Sequence, residues 1–147
     1  MSEAQPERTW EKGQSVILFT PYSGYGKDDH NVTVHQIESV APKSFKVWHY
    51  RFFKDKLQVR TQGGFHGTTW KVCAMDDERA PYLLAERSAR RQLNKVAAVQ
   101  KLWDREGGVE HAADLQVELN EWVTAEQERL AAWDALRVLR PSGSPLD

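Results

Sequence analysis

Asp28-Asp29-His30 is the densest polar cluster in the sequence. It follows directly on Gly24-x-Gly26-Lys27, so phosphate or acid–base chemistry is sought there first. A phosphate-binding P-loop needs four residues between its glycines and a Ser or Thr after the lysine to hold magnesium. Here a single residue separates the glycines, and Asp28 puts a negative charge where phosphate would sit. The cluster reads instead as a solvated loop, because Pro21, Gly24, Gly26, Asp28 and Asp29 all favour turns.

His30, His35, His49, His66 and Cys73 are the candidate soft-metal ligands. Structural zinc sites use tight ligand pairs such as H-x₃₋₅-H with a cysteine pair behind them. His30 and His35 have the right separation, but no cysteine pair supports them, and one falls in a loop while the other falls on a strand. A catalytic centre would need a carboxylate pair in an apolar pocket or a nucleophile beside a base. There is no G-x-S-x-G elbow, and Cys73 has no catalytic signature around it. The expectation is a protein that is not an enzyme, with no cofactor, no metal and no catalytic residue.

Binding chemistry is better represented. In Phe45-Lys46-Val47-Trp48-His49-Tyr50-Arg51-Phe52, strand alternation puts Phe45, Val47 and His49 on one face and Lys46, Trp48, Tyr50 and Phe52 on the other. If the Phe45 face lines a core, aromatics interleaved with lysine stand exposed, which suits stacking of unpaired bases with cations on phosphate. Lys43, Lys46, Trp48, Tyr50, Arg51 and Arg60 would form that surface. Tyr22 and Tyr25 in the long loop could complete a peptide groove. The opposing reading buries Trp48 and Tyr50, under the helices or in the core.

The elements that position these residues come in two halves. Residues 1–12 read as a flexible arm, with Trp10 free to dock. Residues 15–20, 31–39, 44–53, 56–60 and 69–73 read as five short strands, and one long loop follows the first. That layout over residues 13–75 is a small SH3-like β-barrel; an OB-like barrel would need longer strands. From Asp76 the period changes. Tyr82, Ala85, Ala89, Leu93, Val96 and Trp103 recur at mostly three- and four-residue steps, as one apolar helix face does. Ala112, Leu115, Leu119, Trp122, Leu130, Trp133 and Leu136 form a second stripe, and Gly107-Gly108 separates the two. Helices of roughly 24 and 30 residues, about 36 and 45 Å long, joined so tightly must be antiparallel neighbours. The fold expectation is therefore α+β, a small SH3-like β-barrel followed by a long antiparallel two-helix hairpin over residues 76–140, with a disordered tail at 141–147.

Charge divides the same way. The first 75 residues carry ten basic and seven acidic side chains, a net +3, and the remainder ten and fourteen, a net −4. The first helix is basic through Arg87, Arg90, Arg91, Lys95 and Lys101. The second is acidic through Glu110, Asp114, Glu118, Glu121, Glu126, Glu128 and Asp134. Such helices can close on each other or on a second copy as a coiled coil, since ion pairs of this kind set partner choice more than stability. The exposed surface of a thin hairpin makes Trp103, Trp122, Trp133, Leu119 and Leu130 the candidate protein interface.

At 40% hydrophobic and 28% charged over 147 residues, the composition is that of a folded protein rather than a disordered one. No apolar run approaches the ~20 residues that cross a bilayer. The N-terminus has no apolar signal core, and a lone cysteine gives no sign of export. The expected location is cytoplasmic, with no membrane partner.

Gly13-Gln14-Ser15-Val16, residues 32–38, Ser44-Phe45-Lys46-Val47 and Phe52 precede a glycine loop and a helix beginning near Pro81-Tyr82, with Glu86 and Arg90-Arg91. Over roughly residues 13–100 this resembles the small SH3-like barrel proteins among uncharacterised early genes of bacteriophages infecting actinobacteria. In that pattern a G-x-x-V strand precedes a V-T-x-V strand, an aromatic strand and a charged helix. The chain departs from it at Ala41-Pro42-Lys43, where a glycine-arginine turn is usual, and the long second helix lies outside it. The resemblance implies phage origin and a binding role, and assigns no residue a function. The functional expectation is a non-enzymatic protein-interaction factor that binds a host or viral protein, with a homodimer through the helices. DNA or RNA binding by the barrel is the alternative.

Overall fold

Residues 16–19, Val-Ile-Leu-Phe, are uniformly apolar, which suits a strand covered on both faces. In the computed structural model, which describes residues 8–20, 32–60 and 69–146, they form the centre of the sheet. Strands β1 (Ser15–Phe19), β2 (Val32–Val40), β3 (Ser44–Val47), β4 (Tyr50–Phe53), β5 (Gln58–Arg60) and β6 (Thr69–Ala74) precede helices α1 (Ala80–Glu106) and α2 (Val109–Leu139). The strand order is β4-β3-β2-β1-β6-β5, antiparallel at every pairing.

Two local devices curl this sheet. The first half of β2 pairs with β1 and its second with β3, and its register against β3 shifts between Ile37 and Ser39. A bulge of this kind bends the strand and sharpens its twist. Leu57 then bridges the two edges. Its N–H donates to the Phe53 carbonyl at 2.8 Å, and its own carbonyl accepts from the Val72 N–H at 3.0 Å.

The concave side encloses Val16, Leu18, Ile37, Phe45, Val47, Phe52, Val72 and Ala74, and Trp10 closes it. The Trp10 ring stacks on Phe45 at 4.7 Å between centroids. On the convex side Ile17, Phe19, Val32 and Cys73 pack against Ala80, Tyr82 and Leu83 of α1 and Leu136 of α2. Alternation along β1 thus feeds two cores, and the sheet and the root of the hairpin share one of them.

The α+β arrangement of a curled antiparallel sheet followed by a helical hairpin agrees with the sequence reading, and three details differ. The aromatic strand expected at 44–53 is a hairpin, β3 and β4, turning at Trp48-His49, which makes six strands among the described residues rather than five. The flexible arm expected at the N-terminus is anchored from Arg8, since Trp10 is core and Arg8 pairs with Asp76. The tail expected to be disordered returns to the fold. Leu146 packs on the convex core, and its carbonyl accepts from Arg79 at 3.4 Å.

Asp77 organises the sheet-to-helix junction. Its carboxylate accepts the Arg79 backbone N–H at 2.8 Å and the Arg79 guanidinium at 2.9 and 3.1 Å. Burial alone would raise the Asp77 pKa, but these hydrogen bonds outweigh it and hold the carboxyl below its usual range. A depressed carboxyl contributes stability above its unfolded pKa and loses it as pH falls through the folded one. Asp77→Asn is therefore expected to cost about 1–2 kcal/mol at neutral pH, with the deficit against wild type shrinking in urea melts taken at progressively lower pH.

Helices of 27 and 31 residues meet at Gly107 and Gly108, close to the expected lengths. Gly107 has φ 64° and ψ −152°, and Gly108 φ 94° and ψ 154°, a region essentially reserved for glycine. A Cβ at either position would meet nothing within 4 Å, so the constraint is torsional rather than steric. Gly108→Ala should cost about 1–3 kcal/mol, read by chemical denaturation. An unchanged midpoint would show that the link can be rebuilt in another conformation.

Candidate interaction surfaces

The hairpin seam is narrow and small-sided. Along α1 the buried and half-buried positions include Tyr82, Ala85, Ala89, Gln92, Val96 and Val99. Along α2 they include His111, Leu115, Glu118, Trp122, Ala125, Arg129, Ala132 and Leu136. Steps alternate between three and four residues, the 3.5-residue period of a left-handed coiled-coil seam. Polar pairs cross it: Gln92 Nε2 donates to the Glu118 carbonyl at 3.0 Å, and Arg129 donates to the Tyr82 hydroxyl at 3.2 Å. Trp133 packs its ring against Tyr82 at 4.8 Å.

Large apolar side chains sit outside this seam. Leu136 is the one buried side chain of α2, and Val96 the one buried side chain of α1 beyond Ala89. Leu119, Val123 and Leu130 are 41%, 46% and 51% exposed, and Leu93 is 48% exposed. Leu119, Val123 and Leu130 fall on a second heptad line of α2, at Val109, Ala112, Gln116, Leu119, Val123, Glu126, Leu130 and Trp133, whose steps again alternate between three and four. The single stripe expected for α2 therefore merged two faces. Leu115, Trp122 and Leu136 belong to the seam, whereas Ala112, Leu119, Leu130 and Trp133 belong to the second line. Val109 and Val123 were missed, and the regularity of their spacing was the signal that could have found them. Of the candidate interface residues, Leu119, Leu130 and Trp103 are exposed and Trp122 and Trp133 are half-buried.

The two edges of the hairpin differ in charge. On the edge carrying Leu93 and Leu119, Glu86 pairs with Arg90 and Glu126 with Arg129, each within its own helix. On the other edge Asp114, Glu121 and Glu128 repeat at seven-residue steps, and among the described residues they make no ion pair.

At the β3–β4 turn, Trp48 takes φ 55°, a left-handed conformation that is uncommon away from glycine. The turn resets the strand alternation, because Val47 pairs with Tyr50 and Phe45 with Phe52. Phe52 is consequently core and Tyr50 half-buried against it, with its ring stacked on Trp70 at 5.9 Å. This corrects the expected face, on which Phe52 and Tyr50 stood opposite Phe45. Lys46 and Arg51, paired across the strands, both point outward. Lys46 reaches Glu38 at 3.5 Å, and Arg51 donates to the Ser44 hydroxyl at 3.0 Å. Lys43 is also exposed. Trp48 is 38% exposed, and its ring contacts His35 at 5.2 Å and His49 at 4.3 Å. Lys46 and Arg51 share the outward face of the hairpin, Lys43 lies at its base and Trp48 at its turn, and Tyr50 is withdrawn. Basic residues on an edge hairpin also guard it against pairing with another sheet. Tyr22 and Tyr25, the Gly24–Lys27 run, Asp28, Asp29, His30, His66 and the Arg60 side chain lie outside the described residues.

Cys73 is buried under α1, and burial first, then the nearby Asp77, pushes its thiol up to about 12. Only the thiolate is an efficient nucleophile, so native protein at neutral pH should resist a disulfide-exchange reagent that labels it fully in denaturant. Rapid native labelling would show that the convex core opens. Burial, then the charges of His49 and Arg87, lower the His35 pKa. Among the described residues, no three His, Cys, Asp or Glu converge as metal ligands, and no helix is long and apolar enough to cross a membrane. Comparison with protein-family models, curated proteins and solved structures returned no match.

Proposed function

We propose that the protein is a non-enzymatic interaction factor whose helical hairpin docks along another protein, the binding role that the phage resemblance implies. One observation carries this reading: alanines and polar pairs occupy much of the seam between α1 and α2, while Leu93, Leu119, Val123 and Leu130 stand exposed outside it. Isolated exposed leucines are ordinary, but a contiguous apolar stripe marks an interaction site. A curled sheet in which β6 returns beside β1 supports taking the first half as an SH3-like barrel that anchors the hairpin. The test is affinity capture from an actinobacterial host lysate with wild type and with Leu119→Glu/Leu130→Glu. Wild type should recover a stoichiometric protein that the variant loses while its circular dichroism is unchanged. No partner for wild type, together with a monomeric purified protein, overturns the reading.

An exposed Trp48 at the turn of a hairpin that carries outward Lys46 and Arg51, with Lys43 at its base, supports a second reading, a nucleic-acid contact at the β3–β4 hairpin. Its weakness is that His35 and His49 pack on the Trp48 ring and Glu38 already engages Lys46. It predicts single-stranded DNA or RNA binding that weakens steeply with salt, since phosphate contacts release counterions. A gel shift absent at low salt removes it.

A further inference from the structure

We propose that the occupant of the second heptad line of α2 is the same line of a second copy, packed antiparallel about a two-fold axis that passes between Leu119 and Val123. This rests on the stripe being an interface and names its partner. The line from Val109 to Trp133 is symmetric about its centre. In the antiparallel register Leu119 meets the second copy's Val123, Ala112 meets Leu130, Gln116 meets Glu126 and Val109 meets Trp133. Large side chains thus oppose smaller ones and polar opposes polar, which is how facing layers interdigitate. A closed two-fold contact of this type uses one patch on both copies.

Electrostatics and size favour the same face. The glutamates beside the stripe, Glu86 and Glu126, are neutralised by arginines of their own helices, so two stripes can approach without repulsion. The other edge, with Asp114, Glu121 and Glu128 unpaired among the described residues, would repel its own copy. Leu93 and Leu119 each follow a member of the bonded Gln92–Glu118 pair, and in antiparallel helices this places both on one side. The stripe spans about 37 Å and is roughly one helix wide. Two copies of it with the flanking α1 residues approach the ~1,000 Å² of total buried surface that a specific interface needs. It is also continuous with the hairpin–sheet contact through Trp133.

Sedimentation equilibrium of the full chain should give twice 16.9 kDa across the micromolar range. Leu119→Glu/Val123→Glu should give the single-chain mass with unchanged helix content. Because Cys73 is buried, introduced cysteines report alone. Ala112→Cys/Leu130→Cys should cross-link into a covalent dimer on mild oxidation, whereas Ala112→Cys alone should not. The cross-link carries the proposal should the glutamate variant fail to fold. Three results overturn it: a monomeric wild type, a dimer indifferent to Leu119→Glu/Val123→Glu, or cross-linking by Ala112→Cys alone. Should wild type prove monomeric, host-lysate capture separates the two failures. Loss of a partner in the glutamate variant overturns only the second copy, and retention of that partner overturns the stripe as an interface.

Discussion

Trp10→Ala is expected to destabilise the protein by about 3–5 kcal/mol, the range for removing a buried aromatic. Trp10 belongs to no strand, yet it is 6% exposed and lies over the mouth of the concave core against Phe45. The curled sheet does not close that mouth with strands alone, so the indole supplies the missing wall. Its loss would admit water to a core of Phe45, Phe52, Val16 and Leu18. For a chain of this length the melting temperature should fall by roughly 10 °C. A shift of a degree or two in a thermal melt would show that the arm merely rests on the sheet.

Phe19→Ala should have an effect of similar size, about 3–5 kcal/mol, from the opposite face of the same sheet. Phe19 is 1% exposed in the convex core, and the Arg79 guanidinium lies 5.2 Å from its ring centre. Removing it opens the contact between the sheet and the hairpin root, where Leu136 is the one buried side chain that α2 contributes. Because β1 feeds both cores, wild type should unfold in one transition, with tryptophan fluorescence and helical circular dichroism coincident. Phe19→Ala should lower that transition. If the two signals separate in wild type, the hairpin folds independently of the sheet.

Much of the architecture was legible because its causes are local. The switch from alternating to three-and-four spacing after residue 76, and Gly107-Gly108 between two long stripes, announced the hairpin and its nearly correct lengths. The third strand was misread for an equally local reason. Residues 44–53 contain no Gly, Asn or Pro to announce a turn, and the chain turns instead at Trp48, in a conformation where glycine would be expected. One unsuspected turn reverses the strand, so Tyr50 and Phe52 join the face of Phe45 and Val47. The candidate basic-aromatic platform lost half its aromatics by that step. Trp10 was legible only as a residue free to dock, and Leu146 not at all, because a single anchoring residue in a polar segment leaves no periodic trace.

The candidate interface shows where sequence reasoning stops. A helix with apolar residues on two adjacent faces produces one broad stripe in the sequence, and nothing in the pattern says which line meets α1. The partner helix decides that: a seam through Ala85, Ala89, Ala125 and Ala132 permits close approach, and the polar Gln92–Glu118 and Tyr82–Arg129 contacts cross it. Leu93, Leu119, Val123 and Leu130 are left on the outside. What the sequence determined by itself was the inventory and period of the elements, because propensity and spacing are properties of neighbouring residues. Which apolar face is covered and which is left for a partner was decided only by tertiary packing, since burial depends on residues brought together from distant parts of the chain.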